Sequence, residues 1–140
     1  DNDLNRRNAL EAAEQETQDD PQNAFAWFNL GTNLTYFERY DEAASAYDTA
    51  RTLGLPQRML RYQFGPFIAY FHSMRTDDLL TLTKYALEIS RTSEEAMLWR
   101  GWAFYRQGDN GTALKYFRDA LRIHPDYEEA KLAIQTAQNN

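Results

Sequence analysis

The sequence predicts an all-α chain: a right-handed stack of about three helical hairpins with a flanking helix at each end, about eight helices in all. Three observations carry this. Gly31, Gly65 and Gly101 are spaced at nearly equal steps (65 − 31 = 34, 101 − 65 = 36). Ala43, Tyr47 and Ala50 recur as Ala113, Phe117 and Ala120, all three at one offset (113 − 43 = 117 − 47 = 120 − 50 = 70). Between these marks Trp27, Leu30, Gly31 and Leu34 return at three- and four-residue steps, the helical period. The implied unit is about 34 residues long, a pair of antiparallel helices. Gly or Ala at the crossing lets two such helices close to roughly 8–10 Å, and large residues such as Trp27, Tyr47 and Phe117 fill the adjoining hollows.

The elements follow in order. Residues 4–18 form a flanking helix, like the second helix of a preceding unit. Asp20-Pro21 and Leu55-Pro56 break the chain, because the residue before proline avoids the α region. They bound the first unit, 23–55, with a turn near Glu38–Tyr40. The second unit, 56–92, is degenerate. Gly65 keeps the spacing of one unit from Gly31, while Leu79 and Ala86 keep the same spacing from Ala113 and Ala120 (65 − 31 = 113 − 79 = 120 − 86). The two extra residues therefore fall between Gly65 and Leu79, lengthening the first helix or its turn near His72–Arg75. Thr83 stands where an aromatic is expected. Pro66, read as lying inside that helix, costs one hydrogen bond and about 3 kcal/mol or more, and marks a kink.

The third unit, 93–125, opens on Ser93 as N-cap, with Glu94 and Glu95 in the first turn where acids favour the helix dipole. Gly108-Asp109-Asn110 makes its turn and His124-Pro125-Asp126 ends it. Residues 126–138 form a terminal cap with Ala130, Leu132, Ala133 and Ala137 facing in.

The segments WFNLGTNLTYFERYDEAASAYDTA and RGWAFYRQGDNGTALKYFRDALRIHPDY resemble units of the tetratricopeptide-repeat family. Gly101, Phe104, Ala113, Phe117, Ala120 and Pro125 stand at the family's signature places. Arg100 departs from it, where the family has an apolar residue. The resemblance implies a protein- or peptide-binding module in which the first helix of each unit lines a concave groove. Carried over by position, the groove takes Phe28, Asn29, Thr32 and Tyr36 from the first unit and Tyr62, Gln63, Pro66 and Tyr70 from the second. Trp99, Trp102, Tyr105 and Arg106 come from the third. Trp, Tyr and Arg are the side chains that most often anchor a partner. Two readings stay open: these aromatics face a bound segment, or they pack between neighbouring hairpins. In the second case the stack dimerises or docks on another domain of its own protein. Chaperone-binding members of the family hold a carboxylate with Lys, Arg and Asn. Here Asn29 and Asn33 are present and the matching lysines are not.

Composition excludes several alternatives. The charge is −6, with 15 basic against 21 acidic residues, so no basic excess exists for nucleic acid or for an anionic membrane surface. No apolar run reaches the roughly 20 residues that span a bilayer. There is no Cys, which removes thiolate chemistry and Cys-based zinc sites. His72 and His124 have no spaced metal or triad partners. Acid pairs such as Asp19/Asp20, Asp77/Asp78, Glu94/Glu95 and Glu128/Glu129 read as helix starts rather than as acid–base pairs. No catalytic residue, metal or cofactor is expected, and the chain reads as a non-enzyme.

The chain opens on Asp1 without an initiator Met and reads as an excised fragment. The run LGLPQRMLRYQFGPFIAYF resembles the C-terminal repeat module of bacterial, exported proteins whose N-terminal part is a papain-like cysteine peptidase. That resemblance implies an extracytoplasmic location.

Overall fold

A computed structural model describes residues 1–139. Among them are eight α-helices and one 3-10 turn, with no strand. The helices are α1 (Asn2–Asp19), α2 (Ala24–Tyr36), α3 (Tyr40–Thr52), α4 (Gly65–His72), α5 (Thr76–Ile89), α6 (Glu94–Arg106), α7 (Asn110–Ile123) and α8 (Glu128–Gln138). The 3-10 turn is Gln57–Arg61, ahead of α4. Each helix packs on the next, and the first helices of successive hairpins also pack on one another, α2 on α4, α4 on α6 and α6 on α8. The result is a continuous stack, with α1 and α8 at its ends.

Local chemistry sets the helix starts. Asn23 accepts from the Phe25 amide at 3.0 Å and opens α2. Ser93 accepts from the Ala96 amide at 3.2 Å and opens α6, as its sequence predicts. Asp109 accepts from the Thr112 amide at 3.1 Å and opens α7. Acids occupy the first turns of α3, α5, α6 and α8, where the dipole favours them. Asp19 and Asp20 are the exception: they end α1, and Asn23 does the capping that follows. Within the cap helix α8, Ala130, Ala133 and Ala137 are buried as expected, but Leu132 points outward and is 60% exposed.

The helix crossings obey one size rule. A Cβ on Gly31 would stand 2.7 Å from Cε1 of Tyr47, and one on Gly101 would stand 2.6 Å from Cδ1 of Phe117. Each ring is fully buried beneath its glycine, and the separation along the chain is the same in both hairpins (47 − 31 = 117 − 101).

The middle hairpin departs from the sequence reading. Its first helix is short, eight residues against 13 in α2 and in α6. Pro66 lies in the first turn of α4, where no intrahelical hydrogen bond is lost, so it starts the helix and does not kink it. The three hairpin turns fix the register. Their left-handed residues are Glu38 (φ 59°), Met74 (φ 64°) and Gly108 (φ 86°), so the longer step comes first (74 − 38 = 36, 108 − 74 = 34). The two extra residues therefore lie before α4, in the segment that joins it to α3. By the same register Phe67, not Gly65, corresponds to Gly31 and Gly101, and Thr83 corresponds to Tyr47 and Phe117. The pair has exchanged sizes: a large residue on the first helix and a small one on the second, both fully buried.

The Arg100 departure belongs to this exchange. Its guanidinium donates to the Leu80 carbonyl at 2.7 Å and to the Thr83 hydroxyl at 3.2 Å, and to the Tyr116 hydroxyl at 3.2 Å. A cation thus fills space beside a small buried hydroxyl, with its Nε and Nη1 donors bonded.

An ion network ties α3 to the α4–α5 hairpin. Arg75 donates to Asp48 at 2.5 and 2.9 Å and to Asp78 at 2.8 Å. The Tyr70 hydroxyl donates to Asp48 at 2.7 Å and accepts from Arg51 at 3.0 Å. Burial alone would raise the Asp48 carboxyl, but hydrogen bonds from Arg75 and Tyr70 outweigh it and hold it below the ordinary carboxylate range. A depressed folded value stabilises the fold above the unfolded value, near pH 4, and that contribution fades as pH falls further. Asp48→Asn is therefore expected to lower the urea midpoint at pH 6, with the gap to wild type closing between about pH 4 and pH 2. A gap that stayed constant over that range would contradict the network.

Candidate functional site

The register decides which side chains share a face. On α6, Trp102 stands 5.4 Å from Tyr105, edge to face, and 5.0 Å from the Phe117 ring below. Phe71 at the end of α4 stands 5.5 Å from Trp99 and 6.1 Å from Trp102. His72 stacks on Tyr40 at 4.3 Å and meets Phe71 edge-on at 5.2 Å. Ring pairs at these separations are worth about 0.5–1.5 kcal/mol each beyond their buried area. Together they form one aromatic row, Tyr40–His72–Phe71–Trp102–Tyr105, crossing from the first hairpin to the third.

Arg106 closes the row. Its guanidinium lies 3.6 Å above the Phe71 ring and donates to the Phe71 carbonyl. Burial lowers its basicity, which nonetheless leaves it a cation at neutral pH. Burial, then the Arg106 charge, holds His72 below the usual imidazole value. The face is thus aromatic, with the Arg106 guanidinium fixed on it.

The residues expected in a groove separate into three groups. Trp99, Trp102, Tyr105 and Arg106 are brought together on the row, each part-buried. Asn29, Thr32 and Tyr36 are exposed on α2, with Tyr36 covered by the Arg6 guanidinium at 3.4 Å from the ring centre. The others fall elsewhere. Phe28 is buried, with its ring 5.1 Å from Tyr47. Tyr70 is fully buried because its hydroxyl belongs to the Asp48–Arg51 network. Pro66 is buried at the start of α4. Tyr62 and Gln63 are exposed, but they lie in the link between the 3-10 turn and α4 and on no first helix.

The four middle-unit positions share one register, two residues off that of the hairpin turns. Anchoring on Gly65 set the register two residues early. The correct anchor was legible: Arg39-Tyr40-Asp41-Glu42 and Arg75-Thr76-Asp77-Asp78 share the longer step (75 − 39 = 36) and open α3 and α5 alike. In both, the Arg pairs with the acid three residues on, at 2.6 Å to Glu42 and 2.8 Å to Asp78. That register assigns Ile68, Phe71 and His72 to the positions of Thr32, Thr35 and Tyr36. Tyr40, Phe71 and His72 are the three residues of the row that the groove positions carried over by resemblance do not include.

Among the described residues no group of His, Asp and Glu is arranged to hold a metal, and no helix is long and apolar enough to cross a membrane.

Comparison with known proteins agrees with this architecture. The tetratricopeptide-repeat family model matches residues 94–127. Among solved structures, the TPR domain of Arabidopsis OM64 superimposes with a TM-score of 0.71 at 19% identity, over 84% of this chain and 95% of that one. At that identity the likeness speaks to the fold alone. No curated protein matches the chain. Repeat stacks of this fold generally serve as scaffolds for protein interaction and not as catalysts. The α6–α7 hairpin matches the tetratricopeptide-repeat model, and the chain as a whole is a stack of helical hairpins whose fold is similar to that TPR domain.

Proposed function

We propose that the chain binds an extended segment of a partner protein across the aromatic row. One observation supports this most: Trp99, Trp102 and Tyr105 remain part-exposed on α6 beside Phe71 and Arg106, although alanines fill neighbouring buried positions on the same helix. Rigid aromatic side chains and Arg supply large contact area at low entropic cost, which is why they dominate binding energy at interfaces.

The contacts of Phe71 with Trp99 and Trp102 favour a second reading, in which the row holds the hairpins together or pairs two copies. The two readings differ in what a mutation does. A peptide selected on the immobilised protein from a random library is expected to lose at least about tenfold in affinity to Tyr105→Ala, about 1.4 kcal/mol, and nothing to Tyr62→Ala. Both variants should keep the wild-type helical circular dichroism. Unchanged affinity in Tyr105→Ala and in Trp102→Phe would remove the row as the binding face. Sedimentation over a range of concentrations then separates the second reading, since pairing of copies requires a concentration-dependent dimer.

A further inference from the structure

A cavity of about 510 Å³ opens between α3, the 3-10 turn and α5, away from the aromatic row. Its origin is the short first helix of the middle hairpin. α4 packs against both α3 and α5, whose backbones do not approach each other closely and which meet through the Arg51–Asp78 pair. α4 has five residues fewer than α2 or α6 (13 − 8), about a turn and a half. The residues that would build those turns, 60–64 by the register, instead end the 3-10 turn Gln57–Arg61 and form the link to α4, and the space between α3 and α5 stays open down to Phe28.

We propose that this cavity is a binding site for an uncharged, largely apolar small molecule carrying one or two hydrogen-bonding groups. Its volume lies in the range of sites that enclose such ligands, roughly 300–1,000 Å³. The floor is apolar: Phe28, Leu60, Pro66 and Leu82, with the Tyr47 ring. Two charged residues reach it, and both are already neutralised inside the protein. Asp48 is held by Arg75 and Tyr70, and Arg51 by Tyr70 and Asp78. A charged ligand entering here would lose its hydration and meet no unpaired counter-charge, which costs several kcal/mol per ion. At the mouth stand Thr52, Gln57 and Thr81, all exposed, whose side chains bond to none of the described residues. They offer neutral donors and acceptors to a ligand, the pattern of a site that fixes orientation with a few polar groups. None of the aromatic-row residues of α6 lines the cavity, so this site stands or falls apart from the peptide-binding reading.

The test is titration of isotope-labelled protein by NMR with three matched probes: indole-3-ethanol, neutral; indole-3-acetate, an anion; and tryptamine, a cation. Indole-3-ethanol should give saturable shifts at the amides of Thr52, Gln57, Leu60 and Leu82, and the two charged probes should bind at least about tenfold more weakly. Thr81→Trp and, separately, Thr52→Trp place a large ring at the mouth from exposed positions, and each should abolish the shifts while circular dichroism stays unchanged. Absent shifts at these amides, shifts centred on Trp99 and Trp102, equal binding of a charged probe, or binding that survives both tryptophan variants would overturn the proposal.

Discussion

Phe117→Ala is expected to destabilise the chain by about 3–5 kcal/mol, read as a lower urea midpoint at unchanged slope. The ring is fully buried, lies against the backbone of Gly101, and stands 5.0 Å from Trp102. Its loss removes contact area from both helices of the third hairpin and leaves a void that a rigid Gly–ring crossing cannot close. Set against a net stability of about 5–15 kcal/mol for an ordinary domain, this is about a fifth or more of the total. Gly101→Ala approaches the same contact from the other side. It removes no atom and improves helix propensity by about 1 kcal/mol. It also places a Cβ 2.6 Å from Cδ1 of a ring that has no free space to move into. Overpacking of that kind costs about 1–3 kcal/mol, so a neutral or destabilising outcome is expected despite the propensity gain. Stabilisation by Gly101→Ala would contradict the packing described.

Tyr47→Ala is the second large effect, again about 3–5 kcal/mol. Tyr47 is 1% exposed and serves two hairpins at once. Its ring lies under Gly31 and 5.1 Å from Phe28, its hydroxyl pairs with Thr32 at 3.2 Å, and Gly65 passes directly over the hydroxyl. Tyr47→Phe deletes only the hydroxyl and its hydrogen bonding to the α2 threonines, and should cost about 0.5–1.5 kcal/mol. The gap between the two variants separates ring packing from hydrogen bonding. If both cost the same, the hydroxyl rather than the ring holds the two hairpins together.

The fold was legible because its units repeat. Two hairpins place Gly over an aromatic at one and the same separation, and the recurrence of Ala43, Tyr47 and Ala50 as Ala113, Phe117 and Ala120 needs no structure to be seen. The middle hairpin kept the crossing and exchanged its sizes, Phe67 over Thr83. Packing depends on summed volume across a contact, whereas a residue pattern depends on identity at each place. The exchange conserves the first and erases the second. Gly65 then offered a false anchor, being a glycine at the expected spacing that serves a different end, clearance over the Tyr47 hydroxyl at the start of α4.

The site was less legible for the same reason and one more. A two-residue slip on a helix turns a side chain by about 200°. That is enough to put Pro66 and Tyr70 in the places of Ile68 and His72. The further difficulty is burial. Position on a first helix does not tell whether the neighbouring hairpin covers a residue, which is how Phe28 came to be grouped with Trp102. The cavity between α3 and α5 has no motif at all. It follows from helix length, and the sequence carried only the Gly65-Pro66 break that shortens α4.

The central claim is that the α4–α6 aromatic row receives a partner segment. The chain has three tryptophans, hence three indole N–H signals to follow when a library-selected peptide is titrated into labelled protein. Trp27 serves as the internal reference, because its indole N–H donates to the Pro21 carbonyl at 2.8 Å ahead of α2. The account predicts that the Trp99 and Trp102 signals move to saturation with the peptide while Trp27 stays in place. A peptide that binds and leaves Trp99 and Trp102 unmoved, or that moves Trp27 alone, would contradict it.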